Sequence, residues 1–153
     1  MQSETSLERQ TFELPSSIIT FLALGADTGG SFSLFECRVA TQQGAPFHRH
    51  SDDEAFLVLE GTFEFQIEKQ RLRRGTGEFI FVPKNTPHTF LNMSADNDGR
   101  LLIITLPAGN HEGFFAEAGE KVSASDPFST ELPNLEKLVR IGKQYGFEFM
   151  MPS

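Results

Sequence analysis

Residues 61–68 alternate strictly, with Phe63, Phe65 and Ile67 on one side and Thr62, Glu64, Gln66 and Glu68 on the other. This two-residue period predicts a half-buried strand. Residues 17–24 and 31–40 are rich in Phe, Ile, Leu and Val, and the cluster at 25–30 (Gly-Ala-Asp-Thr-Gly-Gly) predicts a turn between two strands. Residues 78–82 contain the unbroken run Phe-Ile-Phe-Val before Pro83, the pattern of a strand buried on both faces. Residues 88–93 and 100–106 complete the set. Many short strands at near-regular spacing, punctuated by Gly and Pro, predict an all-β sandwich or barrel.

The pattern changes after residue 107. Asn110, a cap-competent residue, opens a predicted helix over 110–118, with Phe114, Phe115 and Ala118 on one side and Gly119 as its stop. A second helix is predicted over 133–145, presenting Leu135, Leu138, Val139, Gly142 and Tyr145 on one face and Lys137, Arg140 and Lys143 on the other. A polar loop, 123–130, joins them, and the apolar tail 147–151 is expected to dock back on the body. No repeat or long linker divides the chain. One domain is expected, with a barrel core over about 17–107 and a helical appendix over about 110–146.

Composition narrows the functional classes. A chain of 153 residues suits one hydrophobic core. The formal charge of −8 argues against nucleic-acid and anionic-membrane partners, which need clustered cations. A single cysteine, Cys37, rules out an internal disulfide and is expected to be a small buried hydrophobe. The first ten residues are polar, without the apolar core of a signal peptide. Together these features lead to an expected cytoplasmic location. Sixteen Phe and no Trp predict a Phe-packed core, from which a few rings could line an apolar pocket.

Three of the four histidines can share a target. His48 and His50 are two apart, so on a strand both imidazoles point to one face. Glu54 follows with the same parity, and His88 enters from a later strand after the 83–87 turn. Three nitrogens and one carboxylate suit divalent iron, manganese, nickel, copper or zinc, whereas calcium and magnesium prefer oxygen shells. The fourth, His111, is expected at the surface, and Asp52 and Asp53 in a solvated acidic turn.

These residues resemble two known motifs. The stretch 44–54, Gly-Ala-Pro-Phe-His-Arg-His-Ser-Asp-Asp-Glu, followed by Gly61, is similar to the first motif of the cupin superfamily. Gly77, Pro83, Asn85, His88 and Asn92 are similar to the second. Gly44 lies two residues closer to His48 than in the usual form. Asn85 stands where Gly is usual, and Asn tolerates left-handed dihedrals better than most residues. The 15 residues 62–76 between the motifs match the spacing of small bacterial-type cupins. The flanks at 25–32, 106–109 and 144–149 more loosely resemble single-domain proteins of the quercetin-2,3-dioxygenase type.

The resemblance implies a double-stranded β-helix, or jelly-roll, barrel with C-terminal helices, and a homodimer. It also implies a metal held by His48, His50, Glu54 and His88, with Glu54 doubling as proton acceptor. The implied activity is that of a metal-dependent dioxygenase acting on a small oxygenated compound with an aromatic or flavonol-like body. A metal-dependent isomerase or lyase, and a sensor or carrier that binds without turnover, are the alternatives. Phe35, Phe56, Phe63, Phe79, Phe81 and Phe90 are the candidates for the cavity wall. Phe90 leads them because it shares a face with His88.

Overall fold

The computed structural model describes residues 10–150, so the polar first nine residues and Met151 lie outside it. Its strands are β1 Thr11–Leu14, β2 Ser17–Ala23, β3 Ser33–Val39, β4 His48–His50, β5 Asp53–Glu60, β6 Thr62–Ile67, β7 Gln70–Gly75, β8 Phe79–Val82, β9 His88–Asn92, β10 Gly99–Leu106, β11 Glu120–Lys121 and β12 Phe147–Phe149, of which β2, β3, β6, β8, β9 and β10 fall where the apolar periods place them. Two helices, α1 Asn110–Ala118 and α2 Leu135–Gln144, follow the barrel strands. Seven strands form one sheet in the order β11-β1-β2-β3-β10-β5-β8, and five form the other in the order β12-β4-β9-β6-β7. The pairs between named strands are antiparallel, and the two sheets make a jelly roll.

Alternation decides which side chains enter. Phe35, Cys37 and Val39 of β3, Phe56 and Val58 of β5, Leu101 and Ile103 of β10, and Phe63 and Phe65 of β6 form one dry cluster. A sheet with every second residue apolar needs only one covered face. This explains a departure from the sequence expectation. In β8 only Ile80 and Val82 are buried, whereas Phe79 and Phe81 are 57% and 48% exposed. The strand lies at a sheet edge, and no described layer covers its outer side.

The appendix also departs in detail. Gly109, not Asn110, occupies the N-cap position of α1. Asn134 does cap α2, accepting from the Lys137 amide at 3.0 Å. The buried face of α2 is Leu138, Ile141 and Gly142, while Leu135 and Val139 remain exposed. A glycine at 142 allows the close approach: a β-carbon there would meet the Phe149 ring at 2.8 Å. Gly146, with φ at 81°, turns the chain into β12, which pairs with β4 in the register Phe147 to His50 and Phe149 to His48. Arg49 and Glu148 form a salt bridge at 2.7 Å across this pair. The C-terminal strand therefore borders the strand that carries two of the candidate ligands.

Candidate metal centre

Burial along β4 follows the pleat, with His48 and His50 inside and Arg49 between them half-exposed. His88 begins β9 directly opposite His48, with ring centroids 4.4 Å apart. Glu54 enters from β5. One ligand atom from each of His48, His50, Glu54 and His88 lies within 4.8 Å of all the others, and all four residues are buried. Glu54 Oε1 stands 3.0 Å from both His50 Nε2 and His88 Nε2.

Backbone carbonyls orient all three rings. His48 Nδ1–H donates to Pro46 O at 2.6 Å, His50 Nδ1–H to Asp52 O at 3.0 Å, and His88 Nδ1–H to Thr86 O at 2.8 Å. A carbonyl only accepts, so the proton is on Nδ1 in each ring. The three Nε2 atoms are thereby directed at one point, as a metal-ligating imidazole requires. The turn before His88 serves the same end. Asn85 adopts φ 63°, and its amide donates to His50 O at 2.7 Å.

Electrostatics favour a positive charge at that point. For Glu54, burial alone would raise the pKa, but the interactions with His50 and His88 outweigh it and hold the carboxyl well below its usual range. At His50 burial opposes the charge, yet Glu54 and Asp52 prevail and the pKa is raised. Burial, then the neighbouring His88 and His50, push His48 well below its ordinary value. One buried carboxylate thus faces three imidazoles. A divalent ion would satisfy all four groups, and the N₃O donor set fits iron, manganese, nickel, copper or zinc.

The cluster opens on a cavity of about 650 Å³ whose lining includes His48, Glu54, Phe35 and Phe90. Phe56 and Phe63, expected as wall candidates, pack in the core instead and are absent from the lining. Phe79 and Phe81 point to solvent, which removes them from the wall. The appendix adds Phe114 and Phe115 of α1, Leu138 of α2, and Phe147 and Phe149 of β12 to a wall that the barrel supplies with residues such as Ile19 and Ile103. Cys37 also touches the cavity, and burial pushes its thiol up to about 12.

Two expectations are overturned here. His111 is not at the surface: it is 2% exposed, its ring 4.6 Å from that of His50, and burial, the largest cause, lowers its pKa. Asp52 is not solvated: it is 1% exposed and accepts from His111 Nδ1 at 3.1 Å and from Asn110 Nδ2 at 3.0 Å. Asp53 behaves closer to expectation, half-buried and accepting from the Lys84 amide at 2.8 Å. The available sequence signal was an Asn-His pair opening a helix beside a chain that has only four histidines.

Comparisons with known proteins agree with this geometry. A family model described as a cupin domain matches residues 35–105. Quercetin 2,3-dioxygenase of Bacillus subtilis (strain 168) is 25% identical over 127 residues, which cover 81% of this chain and 37% of that protein. Dimethylsulfoniopropionate lyase DddQ of Ruegeria pomeroyi is 41% identical over 44 residues, 28% of this chain and 22% of that protein. The chain therefore spans well under half the length of either relative. The structure of KdgF from Halomonas sp. superposes with a TM-score of 0.61 at 16% identity, covering 69% of this chain and 93% of that one.

Proposed function

We propose that this protein, whose residues 35–105 match a cupin-domain model, is a metal-dependent dioxygenase acting on a small oxygenated compound with an aromatic or flavonol-like body. The observation that carries this reading is the four-residue cluster of His48, His50, Glu54 and His88 opening on a cavity with Phe35 and Phe90 in its wall. A bound divalent transition metal would supply Lewis acidity toward a substrate oxygen and, where redox-active, electrons for dioxygen chemistry.

The chain's own groups divide the remaining work. His48, His50 and His88 would hold the ion through Nε2. The oxygens of Glu54 differ: Oε1 faces His50 and His88, leaving Oε2 as the atom that takes the proton of a substrate hydroxyl. Phe35 and Phe90 offer flat apolar contact and keep water from the reacting centre. Arg71, the one cation along the lining among the described residues, is 67% exposed and bonded to Glu64 at 3.0 Å. Any negative charge on the substrate would therefore be met by the ion rather than by the wall.

Purified protein should carry near-stoichiometric transition metal, and His50→Ala should lose it; full metal retention would sink the cage. Oxygen uptake is then measured with a panel of flavonols and small enols on protein reconstituted with each candidate metal. Absence of uptake throughout would dismiss the dioxygenase. The local similarity to a lyase supports a second reading, lyase-type cleavage, which would release product without consuming oxygen.

A further inference from the structure

Helix α1 inserts one polar side chain into an otherwise aromatic wall. His111 is enclosed by Phe147, Phe115 and Phe35, with ring centroids at 4.8, 5.9 and 6.0 Å. Contacts on both sides of it fix the helix in place. Asn110 Nδ2 donates to Asp52 Oδ1 at 3.0 Å, and Glu112 Oε2 accepts from the Gly25 amide at 2.8 Å and from the Ser33 hydroxyl. Among the described residues the ring itself has one hydrogen bond, from Nδ1–H to Asp52 Oδ2 at 3.1 Å. An ionised carboxylate only accepts, so the proton is on Nδ1 and the lone pair on Nε2. That nitrogen stands 3.7 Å from Glu54 Oε2, beyond hydrogen-bond length. His111 belongs to the cavity lining, beside the carboxylate oxygen left free by the histidine cluster.

We infer that His111 contacts the bound compound: its Nε2 accepts a hydrogen bond from a hydroxyl additional to the oxygen taken by the metal, and Asp52 positions it for this. The inference rests on the metal-site reading and narrows its substrate class to compounds with two neighbouring hydroxyls, such as catechols and ene-diols. One ligand atom each of His50, Asp52 and His111 also lies within 4.8 Å of the others, but Asp52 engages His111 Nδ1, so His111 serves the bound compound and not the ion. A site built to pair with a hydroxyl discriminates against a ligand that lacks it.

The test titrates zinc-reconstituted protein with 4-nitrocatechol and with 2-methoxy-4-nitrophenol, following the absorbance of each probe. The methoxy compound keeps one hydroxyl and replaces the other with a group that cannot donate. The preference for 4-nitrocatechol, taken as the ratio of dissociation constants, should fall roughly three- to tenfold in His111→Phe, the worth of one hydrogen bond. His111→Gln, which offers an acceptor oxygen, should recover part of it and serves as the second variant if the first misfolds. Zinc content should equal that of the unaltered protein in both. An unchanged preference in variants that retain zinc would overturn the inference and leave the metal site standing. Loss of zinc in folded variants would also overturn it, by making His111 a support of the cage. If the unaltered protein binds none of the candidate metals, the metal reading falls, and the same ratio measured on the metal-free protein still decides the role of His111.

Discussion

Phe147→Ala tests whether the C-terminal strand is structurally part of the site. Phe147 is 5% exposed, stacks on Phe114 at 4.5 Å, and lies against the rings of His111 and His50 at 4.8 and 5.2 Å. Its backbone pairs with His50. Truncating a buried ring removes roughly 150 Å² of apolar contact, about 4 kcal/mol at 25 cal/mol per Å². That figure lies within the range of about 3–5 kcal/mol for buried Phe→Ala changes. With a urea dependence of about 2 kcal/mol per molar, the unfolding midpoint should drop by about 2 M. The melting temperature should fall by roughly 8–16 °C. Phe147→Leu should recover most of the loss. The zinc dissociation constant of the folded variant should rise about tenfold, equivalent to roughly 1.4 kcal/mol, because the His50 ring loses the surface that fixes it. A melting temperature within about 2 °C of the unaltered protein would show that β12 does not dock. A normal zinc constant in the destabilised but folded variant would show that it supports only the barrel.

Three further outcomes are expected. In Gly44→Ala, the new β-carbon would fall 1.7 Å from Phe90 O, where the Ala45 amide also bonds at 3.2 Å. The loop must retreat from β9, so thermal unfolding should show a loss of about 3 kcal/mol, and a normal melt would contradict the close approach. Thr105→Val should leave stability unchanged or raise it by about 1 kcal/mol in urea titration, because the buried Thr105 hydroxyl has no hydrogen-bond partner among the described residues. A clear loss would reveal a partner for it. Cys37 provides a pH test. Its folded pKa is raised from 9.0 to about 12, so the stability linked to the neutral thiol is fully present below pH 9 and is lost as pH rises toward 12. Relative to Cys37→Ala, the protein should lose up to about 4 kcal/mol across that window, and parallel pH profiles would exclude the buried thiol.

Local pattern and tertiary placement contributed different parts of this structure. Alternation at residues 62–67 and the paired histidines of β4 were legible because a strand's period of two is imposed by its backbone, whatever it packs against. Phe79 and Phe81 were misread because an apolar residue carries no mark of whether a second layer covers its face. Strand β7, Gln-Arg-Leu-Arg-Arg-Gly, was not anticipated, since an edge strand exposed on its outer side needs little apolar content.

Strand parity and turn chemistry act over a few residues, so the sequence by itself determined an all-β body and the shared face of His48 and His50, while the motif resemblance joined Glu54 and His88 to them. Only the tertiary structure decided that α1 and β12 close the cavity, taking His111 and Asp52 out of water. Long-range packing brings residues 52 and 111 into contact, and no periodicity in the chain records such a meeting.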